Sequence, residues 1–302
     1  ESLGSPALQV VNPDAVGLGG MGTPAPAVAY AGISSMGTAA PAVPPFRVHI
    51  GGTTTAVKGE DHFSFMESTL GGERLSLMMV ADGHGGKQAV EMAKGTLRTI
   101  LASATGPSGR ELNAAATATF ESLQEQLLES KCTSGSTLTV CCINATRHEL
   151  HVWNVGDSLP VLIGDKVHTM VGTSHRLADN ADEVARVVAS GARVGTVPTD
   201  SKGRSPNKDG PLRAWPGGMT ITRAIGDSDC PYISAEPAHA THVLPPNGGA
   251  LVVCSNGVWD RMSAGKVAQL MQNGQLLGAK GAARTIVGKA SRRRPLTDTT
   301  AV

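Results

Sequence analysis

Val80-Ala81-Asp82-Gly83-His84-Gly85-Gly86, Asn154-Val155-Gly156-Asp157-Ser158 and Cys254-Ser255-Asn256-Gly257-Val258-Trp259-Asp260 are three stretches of one kind. Each sets an acidic residue, or its amide, beside glycine directly after a hydrophobic run. A carboxylate or amide oxygen at the mouth of a β-strand is how a sheet presents ligands to a hard cation. The chain therefore reads first as a metal site built on sheet edges. Asp-Gly is also a common hairpin signal, so a single copy leaves a plain turn as the alternative.

Outward from Asp82, the run 75–80 reads as a strand. Segment 87–102 places Ala89, Ala93, Leu97, Ile100 and Leu101 at helical spacing, and segment 111–129 carries Leu112, Ala116, Phe120, Leu123 and Leu127 on one face. Gly106-Pro107-Ser108-Gly109 joins the two as an antiparallel helix pair. The period then changes to two. Segments 136–143, 149–155 and 159–163 are short and apolar, parted by polar turns, and are expected as an antiparallel meander. Segment 182–190 reads as a helix capped by Gly191, 250–254 as a buried strand, and 266–271 and 282–290 as helices. At the ends, 46–50 is expected as the first strand, turned by Gly51-Gly52 into a second over 53–57, and 300–302 as a short closing strand. This pattern predicts an α/β sandwich (α+β), two packed antiparallel β-sheets flanked by helices, with the metal site at one edge of the sheets.

Composition bounds the rest. A length of 302 residues is compatible with one large α/β domain, here 46–302, and an appendage. The appendage is 1–45, rich in Gly, Ala and Pro and nearly without charge, read as an extension that is loosely structured or laid over the domain. A net charge of +1 gives no general pull toward nucleic acid or membrane, and no apolar run is long enough to span a bilayer. Five cysteines do not form a paired framework, and the adjacent Cys141 and Cys142 point to opposite faces of a strand. A reducing, intracellular compartment, cytoplasm or nucleus, or buried inert thiols, is the expectation, with a removed targeting segment left open. Arg292-Arg293-Arg294 follows a helix and reads as a solvated end favoured by the helix dipole. Segment 196–216 has little apolar periodicity and carries Lys202, Arg204, Lys208 and Arg213. An irregular stretch of that length is functional or mobile.

Taken in order, Asp82-Gly83-His84-Gly85-Gly86, Gly135-Ser136-Thr137, Asn154-Val155-Gly156-Asp157-Ser158, Thr220-Ile221-Thr222-Arg223-Ala224-Ile225-Gly226-Asp227 and Ser255-Asn256-Gly257-Val258-Trp259-Asp260 resemble the metal-dependent protein serine/threonine phosphatases of the 2C type. The resemblance runs from about Gly51 onward and implies the same sandwich. It implies that Asp82 bridges two Mg²⁺ or Mn²⁺ ions, that the Gly83 carbonyl binds one, and that Asn256 and Asp298 occupy ligand positions of the other. Glu60 and Asp61 match the acidic pair that acts mostly through metal-bound water. Two such cations polarise phosphoryl oxygens and lower the pKa of water. The resemblance makes His84 the proton donor to the leaving alcohol, a job suited to imidazole. It places Asp157 and Asp227 as turn anchors near the site and Thr137 at its edge.

Three departures bear on activity. Asn256 stands where the family has aspartate, so one negative charge is missing from the ligand set. Ala56 stands where a phosphate-clamping arginine is usual, leaving Lys58 as a point charge for phosphate. Thr299 replaces an asparagine after Asp298. Two readings follow: hydrolysis of phosphoserine and phosphothreonine in proteins by a monomer with weakened metal binding, or a catalytically impaired pseudophosphatase serving as a binding platform or regulator.

Overall fold

The hydrophobic run before Asp82 is the centre of a 12-residue strand, Glu73–His84, which pairs on both sides and carries the acidic motif as its own last residues. The computed structural model describes residues 47–165, 167–196, 210–274, 278–292 and 298–302. The extension 1–45 lies outside the described residues, as do Lys202, Arg204, Lys208, Arg293 and Arg294.

In chain order the first elements are β1 (Thr53–Thr55), β2 (Asp61–Leu70), β3 (Glu73–His84), α1 (Gln88–Ala93), α2 (Thr96–Ser103) and α3 (Gly109–Glu129). Then come β4 (Gly135–Ser136), β5 (Leu138–Asn144), β6 (Glu149–Val155), β7 (Leu159–Ile163), β8 (His168–Met170) and α4 (Ala181–Ala189). The last are β9 (Arg193–Thr196), β10 (Leu212–Trp215), β11 (Ile225–Gly226), β12 (Ala238–Val243), β13 (Ala250–Cys254), α5 (Asn256–Trp259), α6 (Ala264–Gly274), α7 (Gly278–Ala290) and β14 (Thr299–Ala301).

One sheet runs β11-β4-β3-β5-β6-β12, with β2 on the free side of β3; the other runs β1-β14-β13-β7-β8. Alternation along the strands explains how continuous apolar runs serve two cores. Met78, Val80, Cys141, Ile143, Leu150 and Val152 face Leu162, Val253 and Val302 of the second sheet. Their neighbours Leu77, Met79, Leu138, Val140, Cys142 and Trp153 face Leu97, Ile100, Leu112, Phe120 and Leu127 of α2 and α3. Cys141 and Cys142 thus lie in different cores. Truncating a buried aromatic such as Phe120 to alanine in such a layer costs about 3–5 kcal/mol. On the outer face of the second sheet, Val161, Val252 and Cys254 pack on Val258, Val267, Ile286 and Val287 of α5–α7. The two antiparallel sheets flanked by helices match the expected sandwich.

The structure corrects several elements. Residues 47–50 form no strand, although Val48 and Ile50 pack against the inter-sheet core, and the first strand is β1. Segment 87–102 is two helices, because the chain breaks at Lys94-Gly95 and Gly95 caps the second. The third member of the expected meander leaves the sheet: β6 pairs β12 on its outer side, and β7 joins β13 and β8 instead. Gly156-Asp157-Ser158 is therefore a crossover between sheets. The described ends of 196–216 are strands, β9 and β10 forming a hairpin against α4. That unit has its own small core of Leu177, Val187, Ala214, Cys230 and Tyr232.

Local sequence explains the boundaries. Ser108 and Glu111 form a reciprocal capping box that starts α3. The Asn180 side chain accepts the Glu183 N–H to start α4.

Candidate active site

Strand register gathers the motifs at one end of the sandwich. Asp61 pairs with Asp82 across β2 and β3, Gly83 with Ser136 and His84 with Gly135 across β3 and β4, and Cys254 with both Leu159 and Ala301. The crossover at Asp157, the β13–α5 junction at Asn256, and Asp298 just before β14 therefore arrive together. Lys58, Glu60, Asp61, Asp82, Gly83, His84, Thr137, Asp157, Asn256 and Asp298 all line one cleft of about 250 Å³. Asp227 stands behind it against His84. A larger cavity of about 620 Å³ lies among Ile143, Leu162, Ile163 and Ile286, where Asp165 is the one carboxylate among the described residues that line it. The acid-bearing chemistry belongs to the smaller cleft.

Asp82 is held from behind: its N–H donates to Thr137 Oγ1 at 3.1 Å, and Thr137 N–H donates to the Asp82 carbonyl at 2.9 Å. Thr137 Oγ1 in turn meets Ser158 Oγ at 2.7 Å, tying the crossover to the β4–β5 junction. Burial, then the charges of Asp61 and Asp157, push the Asp82 carboxyl well above the usual carboxylate range. Burial also raises Asp61 to about 6, against the pull of its bond from Thr300 Oγ1 at 2.7 Å. Asp157 is raised by burial and partly restored by Arg176, whose Nε lies 2.7 Å from Oδ2 and whose Nη1 lies 2.7 Å from Asp260 Oδ1. Such a set of mutually repelling, desolvated carboxylates is stabilised by a cation.

Five oxygens of the cleft could hold a cation. Glu60 Oε2, Asp61 Oδ1, Asp82 Oδ2, Asp157 Oδ1 and Asn256 Oδ1 are buried with no hydrogen-bond partner among the described residues. Lys58 Nζ is 3.9 Å from Glu60 Oε2, too far for a hydrogen bond. Among the described residues no three His, Cys, Asp or Glu side chains converge as a preformed metal cage. Mg²⁺ does not need one, because it keeps several waters and is bound through one or two carboxylates.

Asp298, to which the resemblance gives a ligand position, accepts four backbone N–H groups. Its Oδ1 accepts the N–H groups of Val57 and Lys58 at 2.5 and 2.7 Å, and its Oδ2 those of Glu60 and Asp61 at 2.5 and 3.0 Å. Burial raises its pKa, but these backbone donors outweigh it and hold it at about 2. Asp298 therefore clasps the turn that bears Lys58 and Glu60, with its lone pairs already engaged.

His84 Nε2 lies 2.9 Å from both oxygens of Asp227, whose N–H donates to the Ser134 carbonyl. The partner of Asp227 is thus the histidine side chain as well as backbone. The rest of its motif is structural: Arg223 Nη2 meets Glu183 Oε1 at 2.8 Å, and Gly226 N–H donates to Gln124 Oε1 at 2.6 Å. Arg176, Glu183 and Gln124 escaped sequence reasoning, since none carries a local signal; Arg213, noted among the basic residues of segment 196–216, lines the same cleft.

The family model described as protein phosphatase 2C matches residues 53–294. Probable protein phosphatase 2C 5 of Arabidopsis thaliana is 33% identical over 270 residues, covering 85% of this chain and 60% of its own length. Probable protein phosphatase 2C 3 of Oryza sativa subsp. japonica is 33% identical over 234 residues, covering 74% and 46%. The chain thus spans roughly half to 60% of the length of these curated relatives. Among solved structures, a serine-threonine phosphatase 2C from Toxoplasma gondii superposes with TM-score 0.62 at 16% identity, over 85% of this chain and 98% of that one. A C. elegans sex determining protein does so with TM-score 0.68 at 21% identity, over 84% and 64%. At those identities the two structures speak for the fold. With the profile spanning most of the sandwich and relatives at a third identity across it, the chain belongs to the protein phosphatase 2C family.

Proposed function

We propose that this chain hydrolyses phosphoserine and phosphothreonine esters in proteins in a metal-dependent reaction. The observation that carries the reading is the group of five buried, unpartnered oxygens in one cleft. Oxygen-only donors suit Mg²⁺ or Mn²⁺ rather than softer metals. Asp82, between the charges of Asp61 and Asp157, is the side chain suited to serve two ions; the Gly83 carbonyl, Asn256, Glu60 and Asp61 supply further oxygens. When bound, the cations offset phosphoryl charge and lower the pKa of water. His84, oriented through Nε2 by Asp227, is left with Nδ1 to protonate the leaving alcohol. Lys58, whose side chain is 57% exposed, approaches the phosphate as a mobile charge. Asp298 holds the Val57–Asp61 turn, so its contribution is to place Glu60 and Asp61. Asn256 brings an amide where a carboxylate would bind a dication more tightly, which supports a weakened metal grip.

All five cysteines are buried and unpaired, which supports a reducing compartment. Among the described residues no helix is long and apolar enough to cross a membrane.

The test is Asp82→Asn, assayed with Mn²⁺ on a phosphothreonine peptide and titrated with Mn²⁺ by calorimetry. Hydrolysis should vanish and Mn²⁺ binding weaken. If the wild-type chain binds Mn²⁺ but turns over nothing, the binding-platform reading replaces this one.

A further inference from the structure

We propose that Arg213 binds the phosphoryl group of the substrate and is the principal anion-gripping side chain of the cleft. This rests on the phosphatase reading above. The cleft gathers carboxylates, and a phosphoryl group entering it needs protein cations as well as metal. Among the described residues two cationic side chains that are not histidine line it, Lys58 and Arg213. Lys58 is mostly exposed and leans toward Glu60, and the turn that bears it, Ala56-Val57-Lys58-Gly59-Glu60-Asp61, carries no arginine. Arg213 is half-buried and has no carboxylate partner among the described residues.

Its placement is built rather than incidental. Nη1 donates to the Gly218 carbonyl at 2.5 Å, which engages one edge of the guanidinium; among the described residues the rest of the donor fork has no partner. The turn that presents that carbonyl is closed by reciprocal bonds between Ala214 and Met219, at 2.8 and 3.0 Å. Gly217 and Gly218 adopt φ of +88° and +67°, a region other residues avoid, and a Cβ on Gly217 would lie 2.2 Å from Cys230 Sγ. Tyr232 Oη lies 2.8 Å from the carbonyls of both Ala214 and Pro216. A fixed guanidinium fork matches two phosphoryl oxygens in a way an ammonium cannot. In a cleft of about 250 Å³, little larger than a phosphate ester and its waters, a side chain on the wall reaches the phosphoryl group itself.

The test compares wild type, Arg213→Met, Arg213→Lys and the exposed hairpin control Arg193→Ala, each with its unfolding temperature measured. Binding of inorganic phosphate to the Mg²⁺-supplied protein is followed by calorimetry. Turnover is measured on 4-nitrophenyl phosphate and on phosphothreonine peptides with and without an acidic neighbour. Arg213→Met should raise the Kd of phosphate and the KM of every substrate by about 10- to 100-fold, the lysine variant by less, and Arg193→Ala by nothing. Unchanged Kd and KM overturn the proposal, as does a wild type that binds no phosphate. A loss confined to the acidic peptide overturns it too, because Arg213 would then read a neighbouring residue. Should the wild type bind phosphate through Arg213 yet hydrolyse nothing, the phosphatase reading falls and the anion site stands.

Discussion

Gly135→Ala tests whether His84 delivers the proton. Gly135 lies opposite His84 in the β3–β4 ladder and opposite Gly226 in the β4–β11 ladder. A Cβ built on it falls 2.2 Å from Asp227 Oδ2 and 2.4 Å from His84 Nε2, the two ends of the pair that orients the imidazole. Ordinary contact needs about 3.4 Å, so both groups must retreat by roughly 1 Å, and a well-placed hydrogen bond does not survive that. Asp227 cannot swing away cheaply: it is nearly fully buried, sits at φ +53°, and is tied by its N–H to Ser134. Loss of one hydrogen bond to a charged group is worth about 2 kcal/mol, or roughly 30-fold in rate. A stability loss of similar size lowers Tm by about 4–8 °C, so assays belong well below the transition. The informative comparison is between leaving groups. A phosphothreonine peptide expels an alcohol that must be protonated, whereas 4-nitrophenolate leaves without help. The variant should lose about 30-fold on the peptide and only a few-fold on the aryl ester. Equal losses on both would refute the proton-delivery role of His84, and unchanged rates on both would refute the steric argument.

Asn256→Asp should tighten Mn²⁺ binding by about tenfold to a hundredfold, the result of a net gain of roughly 1–3 kcal/mol after desolvation; calorimetry that shows no change would remove Asn256 from the ligand set. Glu183→Gln strips Arg186 and Arg223 of their shared buried carboxylate and should cost about 3–5 kcal/mol in urea unfolding. Burial opposes ionisation of Glu183, but bonds from Arg223, Arg186 and Thr222 overcome it and hold its pKa far below the ordinary 4.5. Its stabilisation is therefore complete above pH 4.5 and lost as pH falls below it, and the variant should show a shallower acid limb. His175 behaves in the opposite sense, with burial lowering its pKa from 6.5 to about 4. The unfolded chain takes up the proton first, so stability is complete above pH 6.5 and falls between 6.5 and 4, by up to about 3 kcal/mol. His175→Gln should flatten thermal stability across that window, and an identical profile would contradict the assignment.

What could be read from the chain was what is local. Period-two runs marked β5, β6 and β7, a short apolar run marked β13, and the glycine-flanked acids marked the ends of strands that meet at the cleft. Partner choice was not legible: β7 looks like a third meander strand, and only the occupation of the outer side of β6 by β12 sends it to the other sheet. β2 escaped because its side chains are largely half-exposed, which blunts the contrast between its two faces. β12 escaped because His239 and Thr241 alternate with small or polar residues rather than with large apolar ones. At the site, Asp82, His84 and Asn256 stood in recognisable motifs, whereas Glu183 meets Arg223 across 40 positions and Arg176 meets Asp157 across 19. No window of sequence records such meetings, and none told that Asp298 would spend its oxygens on backbone N–H groups.

That clasp joins Asp298 to Val57 across 241 positions, among the longest-range contacts of the domain. During synthesis, the strands that carry Asp61 and Asp82 exist long before the residue that frames the turn ahead of them. Ordering that turn must wait for closure of a very large loop, a step that is entropically costly and slow relative to the local hairpins. The mouth of the cleft is therefore the part of the domain whose order depends on residues 298–301, where β14 lies between β1 and β13.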